Sequence, residues 1–427
     1  MNKVSWSITI VALLFIPALA FSGGAQGQGG AEAQVTFRMM SHRHPALEYY
    51  AEELASALPN VDVESTLQPY DRTAQQTRVY LSSGEASPYE IFWVTDSLLA
   101  EYAENGWIQP IDEYIEKYDD EYDFIGDIPE GAWEGASYGG KRYGIPILNN
   151  IMLFFYREDI FDKYGIEPPT TFEEFVEYAR MINENEPNMK GTTLTFKRVD
   201  ALTNAFHAYL SGYGGSWFDD SGQPAFNGEA GVKALTLMAE LMNYAPPGVL
   251  SFANDQSTVA FQQGQVAMGI QWYTRCASMD NTETSTVVGK MQFAVPPSAR
   301  GISVPATRVS VDCYVIPAQL AEGVDPELVF RTIAGGTDKE SMLGAAQYAL
   351  VPRSSVREDP DIAAQYRYWP IASRTIDQGA RSLPMHGDFS AIAEEVTLRI
   401  SQALAGELGL EEALDMAAER AREIISE

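Results

Sequence analysis

Residues 35–68 read VTFRMMSHRHPALEYYAEELASALPNVDVESTLQ, and their pattern decides the fold. The apolar residues first recur at every second position, as in a strand, and then at helical spacing: Val35, Phe37 and Met39, followed by Leu47, Tyr50, Ala51, Leu54 and Leu58. A second strand is predicted at 61–67. This stretch is therefore a strand, a helix and a second strand, the repeating unit of an α/β protein.

The same alternation continues to the C-terminus. Helices are predicted at 73–81, from Ser97, at 389–404 and at 410–424, and strands at 89–94, 151–156, 191–196, 266–271, 291–295 and 313–316. Thr171, followed three residues later by Glu174, predicts a capping box at the start of a further helix. Because alternating strands and helices form mainly parallel sheets covered on both faces, we expect two α/β halves with a ligand crevice between them.

The charge balance excludes one class of partner. The chain has 427 residues, of which 59 are acidic and 29 basic, and its formal net charge is −30. Nucleic-acid binding requires a basic surface, so nucleic acid is not expected as a partner. The sequence also lacks the serine-hydrolase elbow, the His-Glu-x-x-His zinc motif, the phosphate loop and the dinucleotide fingerprint, and we predict no catalytic residues.

The N-terminus is typical of an exported protein. Lys3 precedes an apolar run from Ile8 to Leu19, and Ala18-Leu19-Ala20 has small residues where signal peptidase cleaves. We expect residues 1–20 to be a signal peptide and residues 21–34 to be a flexible tether. A retained membrane anchor is the alternative, but the apolar run is shorter than the ~20 residues that span a bilayer. No cysteine lies near the cleavage position, so a freely diffusing periplasmic protein is expected.

Four segments carry a resemblance to a known family. They are LSSG, YEIFW and YAENGWIQPI within 81–111, YGGKRYGIP through PTTFEEF within 138–175, AFQQGQVAM followed by Trp272 within 260–272, and VPRSSV at 351–356. In their order and spacing, the chain resembles the family 1 extracellular solute-binding proteins of ABC-type importers. The chain departs from the family at one place, where Arg308-Val309-Ser310-Val311 stands before a strand that Gly-Gly often precedes in the family.

The resemblance implies a two-lobed periplasmic-binding-protein fold with a ligand cleft. Lobe 1 would comprise 35–146 and 303–353, and lobe 2 would comprise 147–302 and 354–427. The implied function is that of a receptor that closes on a hinge around a sugar or oligosaccharide and delivers it to the permease subunits of an ABC importer in the inner membrane. Such a receptor performs no chemistry on its ligand, and we expect a monomer without a cofactor.

The two cysteines and two of the histidines are of residue types that form disulfides and metal sites. Cys276 and Cys313 fall in different implied lobes, so two buried free thiols are expected, with one disulfide as the alternative. His42-x-His44 resembles half of a zinc site, but no third ligand converges on it in the sequence, and no metal is predicted.

A sugar site should combine aromatic rings with Asp, Asn and Arg side chains, because sugars offer both stacking faces and directional hydroxyls. In the first implied lobe, Trp93 and Asp96 stand where the family presents an aromatic ring and a carboxylate at a strand end. Asn149 and Asn150 follow a lobe crossing. The alternatives are core packing for Trp93 and a local turn bond for the two asparagines.

The second implied lobe supplies five further candidates. Trp272 follows an apolar strand, at a position where the family commonly has a stacking ring, with core packing as the alternative, and Arg275 is its neighbour. Trp217 lies in a segment similar to the family's Gly-Gly loop and either contacts the ligand or only holds the loop. His386 and Asp388 precede a helix at a position that the family also uses.

Two other classes of function stay open at this point. Pairs of carboxylates are too common in this chain to exclude a secreted glycosidase. A binding protein for a polyamine, a glycerol phosphate or a metal chelate is the second alternative.

Overall fold

The structure is a computed structural model that describes residues 35–426. The predicted signal peptide and tether lie outside these residues. The strands are β1 (Val35–His42), β2 (Val61–Gln68), β3 (Ile91–Thr95), β4 (Ser137–Tyr138), β5 (Lys141–Arg142), β6 (Gly144–Arg157), β7 (Lys190–Thr192), β8 (Val266–Trp272), β9 (Met291–Ala294) and β10 (Val309–Val315).

Helices connect these strands and extend the chain after the last of them. They are α1 (Pro45–Ser56), α2 (Tyr70–Ser82), α3 (Asp96–Glu104), α4 (Asp112–Tyr122), α5 (Phe124–Asp127), α6 (Glu130–Glu134), α7 (Glu158–Tyr164), α8 (Phe172–Asn185), α9 (Asp200–Gly212), α10 (Glu229–Met242), α11 (Asn254–Gln262), α12 (Pro326–Gly336), α13 (Lys339–Ala345), α14 (Ser354–Arg357), α15 (Pro360–Gln365), α16 (Trp369–Asp377), α17 (Phe389–Leu404) and α18 (Leu410–Ser426). Within the described residues, no helix is both long enough and apolar enough to cross a bilayer.

An eight-stranded sheet has the order β2-β1-β3-β10-β6-β8-β7, with β9 also pairing with β6. Parallel pairs form at its two ends, between β1 and both β2 and β3 and between β7 and β8. In the middle of the sheet, β10 runs antiparallel to β3 and to β6, and β6 runs antiparallel to β8 and to β9. The sheet is therefore mixed, where the sequence predicts mainly parallel pairing. The antiparallel pairs arise because β6 and β10 pass through the middle of the sheet in opposite directions.

The long strand β6 joins two parts of the sheet. Its residues 144–151 pair with β10, and its residues 152–157 pair with β8 and β9. The strand β6 therefore changes its pairing partners between Ile151 and Met152, from β10 in one part of the sheet to β8 and β9 in the other.

Both faces of each sheet part are buried. In β3, Trp93 enters one apolar cluster while its neighbours Phe92 and Val94 enter another. In the second half of β6, Phe155 and Phe154 likewise enter different clusters. This alternation is the consequence of the two-residue period of a strand, and it explains why the strands contain almost continuous apolar runs.

Two of the local predictions from the sequence are confirmed, and one strand is shorter than predicted. The capping box at α8 is confirmed, since Glu174 N donates to Thr171 Oγ1 at 3.3 Å and Thr171 N donates to Glu174 Oε2 at 3.1 Å. The two cysteines are unpaired and buried, as expected. The strand predicted at 191–196 is shorter: β7 ends at Thr192, Thr193 N still donates to the carbonyl oxygen of Met268 at 3.1 Å, and the chain then continues to α9 outside a strand.

Candidate functional site

A cavity of about 70 Å³ lies where strand ends from both parts of the sheet meet the start of α9. Most of its lining side chains are polar or aromatic, and they come from both parts of the sheet. They are His42, His44, Tyr70, Trp93, Thr95, Asn150, Asp200, Asn204, Asn254, Trp272, Thr274, Arg275, Arg308, Ser310 and Asp312. A concave site with a few convergent polar groups is the usual form of a small-molecule site.

One wall of the cavity is aromatic. The ring of Trp93 lies 5.2 Å from that of His42 and 5.8 Å, edge to face, from that of Tyr70. The indole Nε1 of Trp93 donates to Asp312 Oδ2 at 3.1 Å. These two ring contacts and the hydrogen bond from its single donor hold the indole in place in the cavity wall.

A hydrogen-bonded network of charged side chains forms another wall. Arg308 donates through Nη2 to Asp96 Oδ1 at 2.6 Å and through Nη1 to Asn204 Oδ1 at 2.5 Å. Ser310 Oγ donates to the same Asp96 oxygen at 3.1 Å, and Asn204 Nδ2 donates to Asp200 Oδ1 at 3.0 Å. The network joins α9 to α3 and β10 through buried side chains.

The carboxylates of this wall are harder to ionise than exposed ones. Burial raises the pKa of Asp312 from 3.8 to about 7, and the nearby charge of Asp96 adds to the rise. Burial also raises the pKa of Asp96 and of Asp200, against the opposing effect of the Arg308 guanidinium. Hydrogen bonds from a ligand would favour the charged form of these carboxylates.

The two histidines of the cavity are neutral near pH 7. Burial lowers the pKa of His42 from 6.5 to about 4, although the carbonyl oxygen of Gln68, which accepts from Nδ1 at 3.2 Å, opposes this. Burial and the neighbouring His42 lower the pKa of His44 well below 6.5. Neither imidazole therefore supplies a positive charge. Burial also lowers the pKa of Arg275, whose Nη2 pairs with Asp255 Oδ1 at 3.0 Å.

Several polar atoms at the cavity lack a partner among the described residues. They are His44 Nδ1, Asn150 Oδ1, Arg275 Nε and Arg308 Nε. A buried donor or acceptor without a hydrogen bond costs about 1–3 kcal/mol, so native proteins rarely leave one unsatisfied. These atoms are themselves buried, and the side chains that carry them form part of the cavity wall.

The backbone is strained beside the cavity. Val199 has φ 72° and ψ −117° and directly precedes Asp200, the first residue of α9. A β-branched residue at positive φ is a true outlier, and such a conformation costs on the order of 1–3 kcal/mol. Strain of this kind is concentrated at functional sites, and here it directly precedes Asp200, which lines the cavity.

The structure brings four of the predicted site residues together. Trp93, Asn150, Trp272 and Arg275 all line the cavity. Asp96 is completely buried and does not line it, but its carboxylate holds Arg308, which does.

The other four predicted residues do not line the cavity. Trp217 is buried in the apolar cluster around α9, and its Nε1 donates to His207 Nδ1 at 3.1 Å. Asn149 is buried, with its backbone N–H bonded to the carbonyl oxygen of Leu350. His386 stacks on Phe218 at 5.6 Å and accepts through Nδ1 from the backbone N–H of Asp388. Ligand contact by these four stays a prediction.

Sequence reasoning missed several lining residues. Ser310 and Asp312 had a visible signal, because two polar residues on one face of an otherwise apolar strand are unusual. Arg308 lies in the segment that departs from the family pattern, which was a second signal. Tyr70 and Asp200 begin helices and had no signal in the sequence.

The arrangement does not form a metal site. Within residues 35–426, no group of three or more His, Cys, Asp or Glu side chains is placed to hold a metal ion. His42 and His44 instead lie with their ring centroids 5.2 Å apart, edge to face, in the cavity wall.

Comparisons with known proteins agree with this geometry. The family model described as bacterial extracellular solute-binding protein matches residues 42–318. A mannitol-binding protein from Pseudomonas aeruginosa is 25% identical over 344 residues, which are 72% of this chain and 74% of that protein.

Solved structures give the same fold. An ABC transporter solute-binding protein from Agrobacterium radiobacter in complex with ribitol has a TM-score of 0.82 at 23% identity, over 92% of this chain and 99% of the other. One from Agrobacterium vitis with bound D-mannitol has a TM-score of 0.77 at 22% identity, over 92% and 98%. The fold is the two-lobed α/β fold that the sequence predicts. The family expected from the sequence is thus confirmed: the chain belongs to the bacterial extracellular solute-binding proteins.

Proposed function

We propose that this chain is the substrate-binding receptor of an ABC-type importer and that it captures a sugar or a sugar alcohol. The observation that carries this proposal is the cavity lined by Trp93 and Trp272, whose wall also contains Asn150, Arg275 and Arg308, each with a buried polar atom that has no protein partner. A ligand made of hydroxyl groups satisfies donors and acceptors together, which neither an apolar nor a singly charged ligand does. The similar proteins that bind mannitol and ribitol support the same class of ligand.

Binding is proposed to close two lobes on a hinge. The lobes are those expected from the sequence, 35–146 with 303–353 and 147–302 with 354–427. The change of partners along β6 between Ile151 and Met152 supports a boundary near residue 147. An ion pair between Lys197 and Asp71 links the two proposed lobes beside the cavity.

The receptor is proposed to leave its ligand chemically unchanged and to deliver it to the permease subunits of the importer. It would act as a periplasmic monomer without a cofactor. The cavity supports a binding role, because both carboxylates in its wall already accept from protein donors: Asp312 from Trp93 Nε1 and Asp200 from Asn204 Nδ2.

Calorimetric titration of the purified protein tests this proposal. The ligands are ribitol, mannitol, glucose, maltose and maltotriose, with spermidine and glycerol 3-phosphate as probes of the alternative classes. We expect micromolar or tighter binding of at least one sugar or sugar alcohol, and a smaller radius of gyration in X-ray scattering when that ligand is saturating. Chromatography should recover the ligand intact.

Two results would contradict the proposal. Binding of spermidine or glycerol 3-phosphate without any sugar or sugar alcohol would assign the receptor to another solute. Hydrolysis of aryl glycosides or maltotriose at a rate that scales with protein concentration would assign it to the glycosidases.

A further inference from the structure

One aromatic face of the cavity is already occupied by the protein. The guanidinium carbon of Arg308 lies over the indole of Trp272, 5.7 Å from the ring centroid. Both side chains are buried, with 3% of Arg308 and 6% of Trp272 exposed. A cation over an indole uses the same face that the C–H groups of a sugar ring would stack on. That face of Trp272 is therefore closed to a ligand.

The guanidinium cannot move aside without loss. Its two terminal nitrogens donate to Asp96 on α3 and to Asn204 on α9, in the planar fork that only arginine provides. Releasing either bond would leave a buried polar group unsatisfied. The position of Arg308 over the ring is thus set by two separate helices.

The second indole is also engaged. Trp93 contacts the rings of His42 and Tyr70, and its Nε1 donates to Asp312. The wall of the cavity therefore combines aromatic rings that already have protein partners with unpartnered polar atoms such as the buried Arg308 Nε.

The size of the cavity also favours a small ligand. At about 10–15 Å³ for each water-sized group, a cavity of about 70 Å³ holds roughly five to seven such groups. A cavity of this size favours a small ligand such as a pentitol or hexitol over a disaccharide.

We propose that Arg308 is the specificity-determining residue of this cavity and selects acyclic pentitols and hexitols over sugars that bind by ring stacking. The proposal rests on the proposed function and names its ligand class. Arg308 closes the face of Trp272 to pyranose rings, and its Nε donates to a ligand hydroxyl.

Calorimetry with ribitol, mannitol, glucose and maltose tests this, first on the unchanged protein and then on Arg308→Lys. Lysine keeps the charge beside Asp96 but lacks both the planar fork that joins Asp96 to Asn204 and the additional Nε donor. We expect the unchanged protein to bind ribitol or mannitol at least tenfold more tightly than glucose and maltose. Arg308→Lys should reduce that ratio at least tenfold.

Arg353 provides a matched control. It is buried, pairs with Asp127 at 3.1 Å, and lies 5.7 Å over the ring of Phe124, but it does not line the cavity. Arg353→Lys should lower the melting temperature and leave the ratio of affinities unchanged. If Arg308→Lys does not fold by circular dichroism, Arg308→Gln replaces it.

Three results would overturn the inference. They are a preference of the unchanged protein for glucose or maltose, an unchanged ratio in a folded Arg308 variant, and an equal change of ratio in Arg353→Lys. Binding of no sugar and no sugar alcohol by the unchanged protein would instead overturn the proposed function, and the inference with it.

Discussion

Replacing Asp312 by asparagine should change how the stability of the unliganded protein depends on pH. Burial and the charge of Asp96 raise the pKa of Asp312 from 3.8 to about 7 in the folded protein. The folded state therefore binds more protons than the unfolded state between about pH 4 and pH 7. In that window, Asp312 makes the protein less stable as the pH rises, and below it the cost is absent.

The expected size follows from the pKa values. Since each pKa unit corresponds to about 1.36 kcal/mol, a rise from 3.8 to about 7 costs on the order of 4 kcal/mol once Asp312 is ionised. An asparagine side chain has the same shape as that of aspartate and carries no charge. The free energy of unfolding of Asp312→Asn should therefore increase relative to that of the unchanged protein by up to about 4 kcal/mol between pH 4 and pH 7.

Urea unfolding of both proteins at several pH values measures this difference. The buried histidines have lowered pKa values and destabilise both proteins as the pH falls below about 6.5. Their contributions cancel when one protein is subtracted from the other. A difference that stays constant from pH 4 to pH 7, or that increases toward low pH, would refute the assignment of a raised pKa to Asp312.

Three other substitutions separate ligand contacts from structural ones. Trp272→Ala should lower both the melting temperature and the ligand affinity, because the ring packs in the core and also lines the cavity. The expected loss of stability is about 3–5 kcal/mol. An unchanged melting temperature would contradict this prediction. Trp217→Phe should cost about 1–3 kcal/mol in urea unfolding, because His207 Nδ1 loses its donor, while calorimetric affinity stays unchanged. Lys197→Ala removes an exposed ion pair with Asp71 and should weaken ligand binding by at most about fivefold, an effect that calorimetry at high salt should abolish.

The sequence predicted the order of elements well because strand and helix periods are local properties. The helix at 389–404 and the strand at 266–271 appear within one residue of their predicted limits. The pairing of the strands was predicted less well. Parallel pairing follows from alternating strands and helices, but a strand shared by two sheet parts, such as β6, is not visible in a local pattern.

The candidate site was predicted in part for the same reason. Trp93 lies within β3 and Trp272 ends β8, and both strands direct these side chains to the cavity. Trp217 lies in a loop and packs in the core, and no local pattern distinguishes a tryptophan that packs on Phe206 from one that borders a cavity. Only the tertiary arrangement makes that distinction.

Arg308 connects recognition to closure of the proposed lobes. Asp96 belongs to the first proposed lobe and Asn204 to the second, so separation of the lobes would break at least one of the two bonds that Arg308 makes. A broken bond leaves a buried charged group partly unsatisfied unless water enters. If the proposed lobes close on a ligand, the Arg308 network and that ligand would stabilise the same closed state, and each would favour the other. A ligand bonded to Arg308 Nε would add to this stabilisation only when the lobes are closed, which is the condition for its binding to shift the population toward that state.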